Sequence, residues 1–285
     1  VEDASPVLRE VMTLLPPGQA RVIGLTGSPG VGKSTSTNAL VAAYRARGLR
    51  VGVLAIDPSS PFSGGALLGD RIRMQEHATD DGVFIRSMAS RGHLGGLSVA
   101  TPQALRVLSA AGCDVVLIET VGVGQAEVEV ASHADTTLVL LAPGMGDGIQ
   151  AAKAGILEIA DVFVVNKADR EGASTVVRQL RSVLSLGDRR SAAGWDVPIV
   201  QTVASRGEGV EAVVEAIEEH GAWLAATGAL EERRVARATD ELRAIALASL
   251  AARVDSAVLA DLATRVVAGD LDPYAAADQL VAGLA

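Results

Sequence analysis

Lysine is scarce in this chain. Of 25 basic residues only Lys33, Lys153 and Lys167 are lysines, and asparagine occurs only at Asn38 and Asn166. Where arginine serves as the general surface cation, a retained lysine marks a place for a compact ammonium on a thin stem, which a broad guanidinium cannot replace. Cysteine is nearly absent. Cys113 alone excludes an internal disulfide and suits a reducing cytoplasm, and its position just before an apolar strand makes it a buried, inert thiol. Aromatic residues make up 2 % against 49 % hydrophobic residues, much of that alanine, a composition that favours helices packed closely on a sheet. No apolar run approaches the ~18 uncharged residues that suggest a membrane span. The stretch 244–267 is interrupted by Arg253, Asp255, Asp261 and Arg265, and the N-terminus has no signal-peptide pattern. A net charge of −9 argues against nucleic acid as a partner, which would need a basic face. It leaves room for a nucleotide, which backbone amides and a metal can hold locally.

Helical and strand patterns alternate from Arg21 to about Glu219. Strands are expected at 21–26, 51–56, 83–86, 114–119, 136–141, 162–165 and 197–202, and helices at 33–47, 101–111, 149–159, 172–185 and 209–225. Such alternation predicts an α/β fold with a mostly parallel central sheet flanked by helices. Ligands then bind beyond the C-terminal ends of the strands. Residues 1–20 read as an N-terminal segment with a short helix at 6–15, 21–225 as the main domain and 226–285 as a helical extension. In the extension, residues 230–268 read as two helices, with Leu242, Ile245, Ala246 and Leu250 on one stripe. Gly269 can cap the second, and Asp272-Pro273 starts a short third.

The segments just past the strand ends carry the chemistry. Gly27-Ser28-Pro29-Gly30-Val31-Gly32-Lys33-Ser34 fits G-x-x-x-x-G-K-[ST] between a strand and a helix, the context that a phosphate-binding loop requires. Its glycines let successive N–H groups and the helix N-terminus point at an anion. Lys33 reaches the β- and γ-phosphates, and the Ser34 hydroxyl is placed to ligate Mg²⁺. The chain is expected to bind a nucleoside triphosphate.

Asn166-Lys167-Ala168-Asp169 matches Asn-Lys-x-Asp after a core strand. The Asp169 carboxylate accepts from guanine N1–H and the 2-amino group, donors that adenine lacks on that edge, so the discrimination is strong. The Lys167 stem can lie over the base and Asn166 can brace the pocket. After the last strand, Thr202, Val203 and Ala204 are positioned to close it with backbone amides. Between the phosphate and base ends, Glu119 precedes Gly122 where GTPases carry Asp-x-x-Gly. It is expected to hold Mg²⁺ through a water, with the Gly122 amide sensing the γ-phosphate. Asp57 is a second candidate for the metal shell. Val123 replaces the glutamine that positions water in Ras-like enzymes, so slow intrinsic hydrolysis is expected, with a partner or moving loop completing the site.

The run Gly27 to Thr35, Asp57-Pro-Ser-Ser-Pro61, Glu119-Thr-Val-Gly-Val-Gly-Gln125 and Asn166-Lys-Ala-Asp169 resembles the methylmalonyl-CoA mutase-associated GTPases. These have also been described as lysine/arginine/ornithine transport kinases, and are similar to the wider group of metallocentre-assembly GTPases. The resemblance extends over nearly the whole chain, including Asp272-Pro-Tyr-Ala-Ala-Ala-Asp278. It implies a homodimeric chaperone that uses GTP and Mg²⁺ to gate adenosylcobalamin delivery to a methylmalonyl-CoA mutase and to protect that mutase. It also implies that Asp57, Asp70 and Glu119 are switch-region acids around Mg²⁺ and the γ-phosphate. The loop 142–153 would be a further switch contacting the mutase through Gln150 and Lys153, and the chain would begin later than its relatives do.

Three other functions compete. A nickel-insertion GTPase would usually carry a Cys-x-Cys or histidine-rich site, whereas His77, His93, His133 and His220 are scattered. A kinase acting on a transport protein would need a groove and a phosphate acceptor, and neither is recognisable. A GTP-binding partner protein that never turns GTP over differs only in lacking hydrolysis.

Overall fold

The structure is a computed structural model that describes residues 6–16, 18–58, 77, 79–90, 100–120, 126–144, 157–186 and 194–283. After a short helix α1 (Pro6–Leu14), the described elements alternate. They run β1 (Arg21–Thr26), α2 (Lys33–Ala46), β2 (Val51–Pro58), β3 (Val83–Ser90), α3 (Ala100–Ala110), β4 (Val115–Thr120), α4 (Ala126–His133) and β5 (Thr136–Leu141). Then come β6 (Val162–Val165), α5 (Ala173–Leu186), β7 (Ile199–Gln201), a 3₁₀ turn at Ala204–Arg206 and α6 (Val210–Thr227). The seven described strands form one parallel sheet in the order β3-β2-β4-β1-β5-β6-β7.

Both sheet faces are covered, which is why the strands read as continuous apolar runs rather than alternating ones. Ile23, Leu25, Val53, Leu117, Leu138 and Val164 pack on one side with Leu40, Val41 and Tyr44 of α2 and Val213, Val214 and Ile217 of α6. The intervening residues face the other way. Val22, Leu54, Val116 and Ile118 join Leu108 of α3 and Val130 of α4, while Val139, Phe163 and Val165 join Val176, Val177 and Leu180 of α5. Each mid-sheet strand thus contributes alternate residues to two cores. At β1 the fit is close: a Cβ on Gly24 would stand 2.4 Å from Val130 Cγ1, so glycine is what lets α4 lie down there.

The N-terminal ends of β5 and β6 are held by charge. Asp135 Oδ2 accepts from the Val22 amide at 3.0 Å, and Asp161 Oδ2 from the Thr137 amide at 2.8 Å. Arg233 grips Asp161 in bidentate fashion, at 2.8 and 3.0 Å.

The chain divides into two compact units, Val1–Val235 and Ala236–Ala285. The second contains most of α7 (Ala229–Ala251), with α8 (Ser256–Ala268) and α9 (Pro273–Ala282). The Asp255 carboxylate caps α8 by accepting from the Ala257 amide. Asp272 caps α9 by accepting from the amides of Tyr274 and Ala275, with Pro273 in the first turn. Leu262 and Ala276 are its buried apolar residues, whereas Leu242, Leu247, Leu250, Val258, Leu259 and Val267 are exposed. Among the described residues no helix is long and apolar enough to cross a membrane.

Apart from shifts of one or two residues at element ends, two elements differ from expectation, and most of the helix expected at 149–159 lies outside the described residues. Helix α4 had no forecast, because Glu-Val-Glu-Val alternates with a strand's period of two. β3 runs on to Ser90, four residues past its expected end, alongside the equally long β2.

Candidate nucleotide-binding site

The C-terminal ends of β1, β4, β5, β6 and β7 bring the sequence motifs to one edge of the sheet. Gly27–Gly32 leaves β1 and turns into α2, whose N-cap is Gly32 in the left-handed region at φ 98°. Gly32 offers no side chain to cap α2 and no acidic residue of the helix itself stands in its first turn, so its first amides are left for an anion. The Lys33 ammonium, almost fully buried, donates to the carbonyls of Gly27 at 2.6 Å and Ser28 at 3.2 Å. The lysine thus lies folded back along its own loop, where phosphate oxygens would compete with neutral carbonyls for its donors.

Glu119 lies beside this loop because β4 neighbours β1, with Leu25 and Glu119 in register. The alternation that sends Val115 and Leu117 towards α2 sends Glu119 there too. Its carboxylate is only 2 % exposed. Ser34 Oγ donates to Oε1 at 2.5 Å, and Thr37 Oγ1 lies 2.8 Å from Oε2. A buried carboxylate touching a serine hydroxyl at a helix N-terminus is a hard-oxygen donor set, and it fits Mg²⁺. Asp57 is the penultimate residue of β2, in register with Ala89. Its side chain lies outside the described residues, as do Asp70, Gly122, Gln150 and Lys153. Among the described residues no group of three or more His, Cys, Asp or Glu could hold a metal ion.

The base-reading loop is tied to the phosphate loop. Asn166 Nδ2 donates to the Val31 carbonyl at 2.9 Å, and its Oδ1 accepts from the Thr202 hydroxyl at 3.2 Å and the Ala204 amide at 3.1 Å. One buried amide therefore links three loops, and an unmade bond here would leave a buried polar group stranded. Lys167 adopts φ 58°, a conformation uncommon outside glycine, and its ammonium donates to the Gly30 carbonyl at 2.6 Å. Asp169 is half-exposed, its Oδ2 3.6 Å from Arg206 Nη1. Arg206 also pairs with Glu208 at 2.8 Å.

The wall formed by Thr202, Val203 and Ala204 is present, with its amides already engaged. The Val203 amide donates to the Glu208 carbonyl at 3.0 Å and the Ala204 amide to Asn166. These residues brace the wall in this structure rather than offering donors to a base. Sequence reasoning passed over Thr37 and Arg206. Thr37, three residues after Ser34, could have been found from helical spacing. Arg206 carried no signal until the 3₁₀ turn set it beside Asp169.

A family model described as methylmalonyl Co-A mutase-associated GTPase MeaB matches residues 1–258. A Pyrococcus abyssi protein is 47 % identical over 98 % of this chain and 87 % of its own length. The mouse protein named methylmalonic aciduria type A homolog, mitochondrial, is 39 % identical over 74 % of this chain and 52 % of its own. Among solved structures, one titled as a LAO/AO transport system kinase superposes with a TM-score of 0.70 at 26 % identity, covering 98 % of this chain and 85 % of that one.

Proposed function

Because the chain belongs to the methylmalonyl-CoA mutase-associated GTPase family, we propose that it is a Mg²⁺-dependent GTP-hydrolysing chaperone for an adenosylcobalamin-dependent methylmalonyl-CoA mutase. In this reading it gates cofactor delivery and protects the mutase, and its slow intrinsic hydrolysis is stimulated by the partner. The observation that supports the guanine part is the Asn166 hub, which ties the Asn-Lys-x-Asp segment to the phosphate loop. Gly27 to Thr35 cradle the phosphates, Asn166, Lys167 and Asp169 hold the base, and Thr202 to Ala204 form its wall. Lys33, Asp57, Asp70, Glu119 and Gly122 serve hydrolysis, with Ser34 and the three acids around Mg²⁺. When bound, that ion neutralises charge building between the β- and γ-phosphates.

The partner assignment rests on the family's name and on the mouse relative's, and the loop 142–153, with Gln150 and Lys153, would relay nucleotide state to the mutase. Within this division of labour, 21–225 is the GTPase domain, 1–20 a helical lead-in and 226–285 a dimerising extension. GTP turnover should be measured for the chain alone and with a purified adenosylcobalamin-dependent mutase. A stimulated rate supports the assignment, and an unchanged rate removes the mutase as partner.

A further inference from the structure

We infer that Thr37 is a positioning residue for the metal site: its hydroxyl clamps Glu119 so that the carboxylate stays aligned with Ser34. The inference rests on the reading that Glu119 serves Mg²⁺.

A glutamate here has one more rotatable bond than the aspartate that GTPases carry before their glycine. A longer acid reaches further but holds its direction less well, and ordering it costs side-chain entropy. The structure supplies a second tether. Ser34 and Thr37 are three residues apart on α2, so their side chains lie on one face of the helix. That face looks onto the end of β4. Ser34 Oγ meets Oε1 at 2.5 Å and Thr37 Oγ1 meets Oε2 at 2.8 Å, so each carboxylate oxygen has a hydroxyl from the phosphate-loop helix. Thr37 has no exposed surface, so water does not substitute for this contact.

A plainer role is open to any buried helical threonine: bonding back to the carbonyl four residues earlier. Thr37 Oγ1 does lie 3.1 Å from the Lys33 carbonyl. The hydroxyl has one proton, however, and the carboxylate is both closer and charged, which makes it the stronger acceptor. The tether also has a directional consequence. With Oε2 held by Thr37 and Oε1 by Ser34, the carboxylate orients the Ser34 hydroxyl, whose oxygen lone pairs then point away from it. Ser34 can give those lone pairs to a cation while its O–H still donates to Glu119.

The test compares Thr37→Val, which keeps the shape and removes the hydroxyl, with Thr37→Ser, which keeps the hydroxyl. Should Thr37→Val fail to fold, as judged by thermal melting, Thr37→Ala takes its place. The readout is the Mg²⁺ concentration that half-suppresses release of a fluorescent GDP analogue, beside the affinity of that analogue in EDTA. The valine variant should need about tenfold more Mg²⁺, while metal-free nucleotide affinity and the serine variant stay near wild type. An unshifted Mg²⁺ requirement overturns the inference. An equal loss of affinity in EDTA also overturns it, since that is the mark of a merely structural threonine. Glu119→Gln separates the two layers. If that variant leaves the Mg²⁺ requirement unchanged, the reading of Glu119 at the metal fails. If it shifts the requirement and Thr37→Val does not, only the clamp fails.

Discussion

A β-carbon on Gly32 would come within 2.4 Å of the Asn166 side-chain nitrogen. The last glycine of the phosphate loop and the first residue of the base-reading loop are therefore in van der Waals contact, and the same amide bonds to Val31 next door. Phosphate recognition and base recognition share one packed joint.

Gly32→Ala tests that joint. The substitution meets two obstacles, a φ of 98° and the Asn166 amide, which is itself held on both ends. Left-handed backbone at a non-glycine residue costs about 1–2 kcal/mol, and displacing the amide loses a buried hydrogen bond of about 1 kcal/mol. The variant should melt earlier and bind GDP at least tenfold more weakly, measured by fluorescence titration. Wild-type affinity would show that the two loops are independent.

Asp169→Asn should weaken GTP and GDP binding and shift preference towards xanthine nucleotides, because an amide presents a donor where the carboxylate accepts. Loss of a charged hydrogen-bonded pair predicts on the order of a hundredfold loss for guanine. Competition binding with GTP, XTP and ATP reads it. Unchanged guanine affinity would take Asp169 out of the base pocket.

Lys33→Ala and Ser34→Ala should both abolish turnover by different routes. The first removes the charge that serves the phosphates, and the second removes a hydroxyl that touches Glu119 at 2.5 Å. Raising Mg²⁺ should partly restore only Ser34→Ala in a phosphate-release assay. Equal rescue of both contradicts the division of roles.

The apolar residues Leu242, Leu247 and Leu250 on α7, and Val258 and Leu259 on α8, are exposed in the single chain. α7 has no buried residue along its length. A helix with an uncovered apolar face calls for a cover, and a second copy supplies one at no cost in new sequence. Light scattering at micromolar concentration should give twice the 29.1 kDa chain mass. Leu242→Glu with Leu247→Glu should halve it.

Much of this architecture was legible because it depends on backbone chemistry that leaves a mark in sequence. Glycines and a lysine between β1 and α2, and Asn-Lys-x-Asp after β6, mark positions where only certain residues can turn the chain or meet a phosphate or base. Cys113, read as buried from its place before an apolar strand, is 8 % exposed. Helix α4 was not legible, because Glu127-Val128-Glu129-Val130 alternates with a strand's period, and the close fit of Val130 on Gly24 is set by tertiary placement. The engaged amides of Val203 and Ala204 were not legible either. Their partners, Glu208 and Asn166, are set by tertiary placement, and a motif names the residues of a wall without saying which of its donors are taken. Thr37 and the Arg233–Asp161 pair show the same limit: contacts across 82 and 72 residues are decided by the fold.

The last prediction concerns pH and the far end of the sheet. His220 on α6 is fully buried. Its Nδ1 lies 2.9 Å from the Thr136 hydroxyl and its Nε2 3.3 Å from Asp161 Oδ1. Burial pushes its pKa below the ordinary 6.5, more than the Asp161 carboxylate pulls it up, and Arg233 opposes protonation as well. Arg233 also occupies both oxygens of Asp161, so the carboxylate is already neutralised when the imidazole meets it. The folded chain thus holds a neutral histidine, while the unfolded chain takes up a proton as pH drops through 6.5. Stability from this site is complete above 6.5 and declines as pH falls towards the lowered folded pKa, by at most about 1.4 kcal/mol per pH unit. Both tryptophans report on it, with Trp195 and Trp223 ring centroids 4.9 and 5.7 Å from the imidazole. Denaturant melts followed by tryptophan fluorescence between pH 7.5 and 5.5 should show wild type losing stability faster than His220→Asn. The difference should be confined to the range below 6.5, because carboxylates elsewhere titrate alike in both proteins. Parallel curves would mean that His220 keeps its ordinary pKa in the fold, with the pull of Asp161 cancelling the effect of burial, and would overturn the prediction.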